Sequence, residues 1–179
     1  MLKTLVLFLL LSGLLLSCQG VTLNVFFLDV KMLGVSETPE GAGGSADPIS
    51  ESFTVQKITA LDDEKKEYVL LEEEKEVKIV NRTLLIFQKE VPSEFKGKTF
   101  TQFKVTFSTA AKATSRFTQD ADLTLDLTEA SYDDTFSVAS GHGLTFVIKV
   151  KWKNTVTRDE DAETDQISSP AFEISFSRS

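Results

Sequence analysis

The chain has 179 residues, with 19 Lys and Arg against 27 Asp and Glu, and a formal net charge of −8. That balance disfavours a phosphate-backbone ligand, which needs clustered basic side chains, so no nucleic-acid partner is expected. With one cysteine and one histidine, an intrachain disulfide and a zinc site built from several His or Cys ligands are excluded, and a chain this long supplies one core without a staple.

In chain order, Lys3 is followed by an apolar run from Leu5 to Leu16 that stops at Ser17 and the sole cysteine, Cys18. A positive start, an apolar stretch and a small residue before the cut are the layout of a secretory signal over residues 1–17. As a helix the run reaches roughly 18 Å against a hydrocarbon core of about 30 Å, too short to span comfortably. Leu15-Leu16-Ser17-Cys18 resembles the lipobox of bacterial lipoproteins. The resemblance implies cleavage before Cys18, a thioether-linked diacylglyceryl group on it and an amide-linked palmitate-type chain. Two or more acyl chains hold a protein stably at a membrane. Gln19 is not the Asp that retains such proteins in the inner membrane, so the family's sorting pattern points to the cell outer membrane. An ordinary cleaved signal with an accidental cysteine, or an uncleaved anchor, are the alternatives.

Residues 18–20 then read as a lipidated tether and 21–179 as one domain. Val21, Leu23, Val25 and Phe27 alternate, and Phe26, Leu28 and Val30 thicken the stripe into a strand with a well-covered face. Residues 35–50 hold two prolines, three glycines and few large apolar side chains, which predicts a flexible loop. Phe53 and Val55 alternate, and Ile58 and Ala60 continue with opposite parity, which predicts a bulge. Charged Leu61–Lys66 reads as a turn before Tyr68–Leu71, and Glu72–Glu76 as a solvated connection before Val77, Ile79 and Leu84–Phe87.

Beyond the turn between Pro92 and Gly97, Phe103, Val105 and Phe107 point inward against Lys104 and Thr106. Leu123, Leu125 and Leu127 alternate with polar residues, and Phe136 and Val138 form a short strand ending at Gly141-His142-Gly143. Leu144, Phe146, Ile148, Val150 and Trp152 make the cleanest alternation, and Phe172, Ile174 and Phe176 the last. About nine strands and no confident helix predict an all-β fold, an antiparallel β-sandwich of Ig-like or transthyretin-like kind. The hairpin from Gly97 to Val105 and the strand from Gly143 to Lys153 are similar to those of an uncharacterised family of bacterial lipoprotein sandwich domains, a resemblance that implies fold and no chemistry.

Chemistry is sparse. His142 sits between glycines in a turn, and no Gly-x-Ser-x-Gly elbow is present, so no catalytic residue is expected and the chain reads as a non-enzyme. Asp159, Asp161, Glu163 and Asp165 fall on alternate positions and are calcium candidates, although the EF-hand pattern fails at Thr164 and Pro170; a solvated acidic loop is the simpler reading. Asp120, Asp122, Asp133 and Asp134 form a second acidic neighbourhood. Lys149, Lys151 and Lys153 could meet anionic lipid or polysaccharide, but are read first as lysines that discourage aggregation of an outer or edge strand. No cofactor is expected beyond the covalent lipid on Cys18. The expected function is that of a lipid-anchored envelope lipoprotein serving as a non-catalytic binding or interaction module for a protein or glycan. The alternatives are a structural envelope component packed against another envelope protein, and an enzyme using an unrecognised carboxylate pair.

Overall fold

In the computed structural model the described residues are 26–37, 45–80, 83–138, 142–152, 155–159, 161 and 163–178. The predicted leader, the tether with Cys18, and the alternation at Val21–Val25 lie outside them. Strands follow in chain order as β1 (Phe27–Ser36), β2 (Ser45–Ala46), β3 (Ser50–Asp62), β4 (Glu67–Leu71), β5 (Lys75–Ile79), β6 (Thr83–Glu90) and β7 (Thr99–Thr114). After these come β8 (Ala121–Thr124), β9 (Glu129–Tyr132), β10 (Phe136–Ser137), β11 (Leu144–Trp152), β12 (Val156–Asp159), β13 (Thr164–Ile167) and β14 (Ala171–Arg178). The only helical element among the described residues is a 3-10 turn, Ser93–Phe95, and no helix there is long and apolar enough to cross a membrane.

The cleanest alternation in the sequence becomes the middle of a four-stranded sheet ordered β14-β11-β1-β6. Leu144, Phe146, Ile148, Val150 and Trp152 are buried while their neighbours are half-exposed, as period two requires. In β1 the buried face is Leu28, Val30 and Met32, and Phe27 is 44% exposed, so the phase is that of the even residues. The expectation of antiparallel pairing throughout fails at one place: β1 lies parallel to β11, from Leu28 opposite Leu144 to Ser36 opposite Trp152. One-sided alternation reports a polar outer face and not strand direction. The whole second sheet intervenes between β1 and β11 in the chain and supplies the long crossover that parallel pairing needs.

The second sheet is built on two long strands, β3 and β7, with β10, β7, β3 and β4 in order. β3 is long enough to pair with β5 through Glu51–Val55 and with β4 through Ile58–Leu61. β7 takes β10, β9 and β8 in succession along its other edge. The strand segments therefore outnumber the nine expected, because each long strand is flanked by several short ones that bend away at turns. The register of β3 on β7 shifts around Val55 and Lys57, which is the predicted bulge and keeps both Phe53/Val55 and Ile58/Ala60 buried. Leu127 departs from expectation: the ladder ends at Thr124, Leu125 is still buried, and Leu127 is 57% exposed.

The two sheets face each other across phenylalanine. Phe103 of β7 and Phe146 of β11 stack at 3.8 Å between centroids, and Phe107 stacks on Phe172 of β14 at 4.6 Å. Such pairs add about 0.5–1.5 kcal/mol each beyond the burial of their area. The result is all-β and sandwich-like, with a third small sheet, β13-β12-β2, at one end. Of the predicted loop at 35–50, Val35 and Ser36 continue β1, Ser45–Ala46 pair with β12, Ser50 opens β3, and 38–44 lie outside the described residues.

Candidate functional site

The registers define two poles. At the near pole β1 begins, with Phe27 opposite Glu90 and Leu28 in line with Leu144 and Arg178, and Arg178 reaches across to donate to Ser137 Oγ at 3.0 Å. At the far pole stand the ends of β1 and β11, the start of β3, the end of β7 and the small third sheet. β3 runs from the far pole to the near one, and it buries a carboxylate at each end: Glu51 and Asp62 both have zero exposure.

Their surroundings differ. Asp62 accepts hydrogen bonds from the backbone N–H groups of Glu64 (3.0 Å) and Lys66 (2.8 Å), the Tyr68 hydroxyl (3.1 Å) and Lys98 Nζ (3.1 Å). Burial pushes its pKa up, but those donors together outweigh it and hold the group below the usual carboxylate range. Lys98 is raised in turn by the Tyr68 hydroxyl and by Asp62. The knot closes the β3–β4 turn, in which Lys65 adopts a left-handed φ of 68°.

Glu51 has no such company. Its Oε2 accepts the indole N–H of Trp152 at 2.8 Å, a hydrogen bond that joins the two sheets, while Oε1 has no partner among the described residues. Desolvation raises the carboxyl to about 7; the Trp152 bond lowers it and the charge of Asp47 raises it further. Trp152 reaches this position by lying over Gly34, where an added Cβ would come within 3.0 Å of three ring atoms. A glycine is needed there for the ring to pack flat. Thr155 Oγ1, just beyond β11, is likewise buried with no hydrogen-bond partner among the described residues.

Above this layer, the far-pole loops are tied together by Asp165. Its carboxylate accepts from Ser115 Oγ and from the backbone N–H of Phe117 (3.3 Å), while its own N–H donates to Thr118 Oγ1 (2.9 Å). Of the calcium candidates, then, Asp165 is a buried tie on β13, and Asp161 and Glu163 are exposed at the hairpin tip. Asp159 falls on β12, with its side chain outside the described set. No group of three or more His, Cys, Asp or Glu poised for a metal exists among the described residues. The second acidic neighbourhood is not brought together. Asp120 bonds Thr114 and Asp122 pairs opposite Lys112 toward the far pole, whereas Asp133 is held by Gln102 and Ser131 and Asp134 by the N–H of Thr135 near the other end.

The lysine stripe is also reassigned. β11 is an inner strand, not an edge, and Lys149 and Lys151 both pair with Glu173 on β14, at 3.2 and 2.5 Å, with Lys151 also 3.0 Å from Glu37. Lys153 lies outside the described residues, and His142 is exposed just before β11. Cys18, the predicted lipid site, also lies outside them.

Among the described residues, more than one surface offers a place for a ligand. A cleft of about 380 Å³ lies where β3 and β7 are flanked by β5 and β8, lined by Ser52, Thr54, Glu76, Ala110, Lys112 and Asp122 among others. The far pole itself exposes Ile49 (59%) and Phe117 (55%), with the Arg116 guanidinium 5.2 Å from the Phe117 ring. The residues that sequence reasoning missed are Glu51 and Asp62. A signal was there: with the bulge at Gln56-Lys57, Glu51 is in phase with buried Phe53 and Val55, and Asp62 with buried Ile58 and Ala60. Comparison with protein-family models, curated proteins and solved structures finds no match to the chain.

Proposed function

We propose that the protein is a bacterial envelope lipoprotein, anchored through lipid on Cys18 in the outer membrane, whose Ig-like or transthyretin-like sandwich serves as a non-catalytic interaction module. The observation that carries this reading is the opposition of the two poles. The chain enters the near pole at Phe26, a short stretch after Cys18 that can span at most roughly 30 Å, while the loops with exposed Ile49 and Phe117 gather at the other end. A tether at one pole leaves the other facing away from the membrane.

The far pole fits a protein partner with basic and apolar character. Its exposed described side chains include Glu37, Asp120, Asp122, Asp161 and Glu163, which outnumber the exposed cations Arg116, Lys78 and Lys112 there, around the two apolar residues. Opposite charge steers encounter, and apolar anchors supply affinity. The resemblance of residues 97–105 and 143–153 to lipoprotein sandwich domains bears on the fold of this module alone.

Two measurements test it. Intact and peptide mass spectrometry of the protein from bacterial membranes should show Cys18 as an acylated first residue; an unmodified amino terminus further along removes the anchor. Crosslinking on native envelopes should capture a partner with the full chain and lose it on Ile49→Ser with Phe117→Ser. Capture unchanged by that pair moves the interaction elsewhere.

A further inference from the structure

We infer that Glu51 makes the far pole proton-sensitive: while its carboxyl is neutral it bridges the two sheets through Trp152, and ionisation draws the carboxylate toward water and loosens the packing beneath residues 47–50.

The geometry begins with a side chain of zero exposure that lies in phase with the apolar face of β3. Because Oε2 accepts the Trp152 N–H, the proton of the neutral acid resides on Oε1. That atom has no hydrogen-bond partner among the described residues, so once ionised it carries negative charge with nothing to receive it. Among the described residues, the charged groups on the neighbouring elements leave this uncompensated. Asp47, ahead of β3, adds a like charge. On β5 and β7 the residues opposite Glu51 are Ile79 and Ala113, and the lysines beside them, Lys78 and Lys112, stand opposite Ser52 and are exposed on the outer face. On β11 Lys151 is committed to Glu173 and Glu37 on the outer face of its own sheet. From the third sheet comes another carboxylate, Asp165, held by Ser115, and Asp120 bonds Thr114 from the β7–β8 loop. Among the described residues no ion pair reaches Glu51, in contrast to Asp62 at the other end of the same strand, which has Lys98. The carboxyl's value of about 7, raised by burial, puts the change within the neutral range.

Weak points in the surrounding structure lie on the same side. The way into β3 passes through Asp47 and exposed Ile49, held by the Ile49 N–H to Thr114 O bond at 2.7 Å, and β2 is only two residues long. An ionised Glu51 reaches solvent by opening this entry and not by parting the phenylalanine layers toward the middle. Since Trp152 is the only tryptophan in the chain, its emission reports this one hydrogen bond.

The test is a pH titration of tryptophan emission on the full chain, from about pH 5 to about pH 9, together with hydrogen exchange at each end. The expected result is a sigmoidal emission change centred near 7 and faster exchange of amides at 49–52 and 150–152 above it, with the Asp62 turn unaffected. Glu51→Gln, which keeps an acceptor for Trp152, should abolish both changes. In case that variant does not fold, carbon-detected NMR of the Glu51 carboxyl in the unsubstituted chain reads the same event directly. Emission flat over the range, a transition that survives Glu51→Gln, or a carboxyl midpoint in the ordinary carboxylate range each overturns the inference.

Discussion

The pair of buried carboxylates on β3 shows how much the fate of one acidic side chain depends on its neighbours. Asp62 is held below its ordinary range, so it stabilises the fold above the unfolded carboxylate range and loses that contribution as pH falls through its folded value. Glu51 has the opposite sign. Its folded value of about 7 lies above the ordinary value of 4.5, so the folded form holds a proton that the unfolded chain releases. Stability should fall as pH rises between those values, by roughly 3 kcal/mol in total, and level off above 7. Denaturant midpoints across pH should therefore peak on the acid side of neutral. Glu51→Gln should flatten the fall on the neutral side, and Asp62→Asn should lower the midpoint at neutral pH and flatten the acid limb. A profile in which Glu51→Gln leaves the slope between pH 5 and 7 unchanged contradicts the assignment. Gly34 belongs at this scale as well. Gly34→Ala forces the Trp152 ring off the strand, with an expected cost of about 1–3 kcal/mol and a change in Trp152 emission.

At the scale of elements, the two long strands of the second sheet hold the fold together. β7 pairs with four others and buries Phe100, Phe103, Val105 and Phe107, with Phe103 stacked on Phe146 across the sandwich. Phe103→Ala should cost about 3–5 kcal/mol, read as a loss of melting temperature, because the rigid sheets collapse only partly into the space. The third sheet is fastened less firmly. Ser115→Ala removes one donor to Asp165, and the expected result is faster proteolysis or exchange within residues 156–167 at little change in global stability. Period two made most of these strands readable in advance, including the bulge between Val55 and Ile58. Alternation carries no information about which strand lies alongside, so the parallel β1–β11 pair and the inner position of β11 were not legible. That is also why Lys149 and Lys151 look like an edge stripe in the sequence and prove to be partners of Glu173.

For the whole molecule, the sheets, the near pole and the far pole are one arrangement, in which the start of β1 at Phe27 and the far-pole loops are kept apart by the length of β1 and β11. If the lipid on Cys18 serves location and not folding, Cys18→Ser should release the protein from membranes and leave its melting temperature unchanged. A lowered melting temperature would tie the anchor to the fold. The sandwich supplies its own core from Phe, Leu, Ile and Val, which is why no change is expected.

The sequence by itself determined the class of fold and the phase of most strands, because alternating burial is a local property of the chain and survives any choice of neighbour. The expectation of a leader ending at Cys18 also comes from the sequence alone, and it falls outside the described residues. Only the tertiary structure decided which buried acid is neutralised. Asp62 meets Lys98 and Tyr68, and Glu51 meets a tryptophan from the opposite sheet, a hundred residues along the chain, which has one N–H to offer and no charge. Electrostatic environment is a sum over everything within a few ångströms in space, and the order of residues along the chain does not contain that sum.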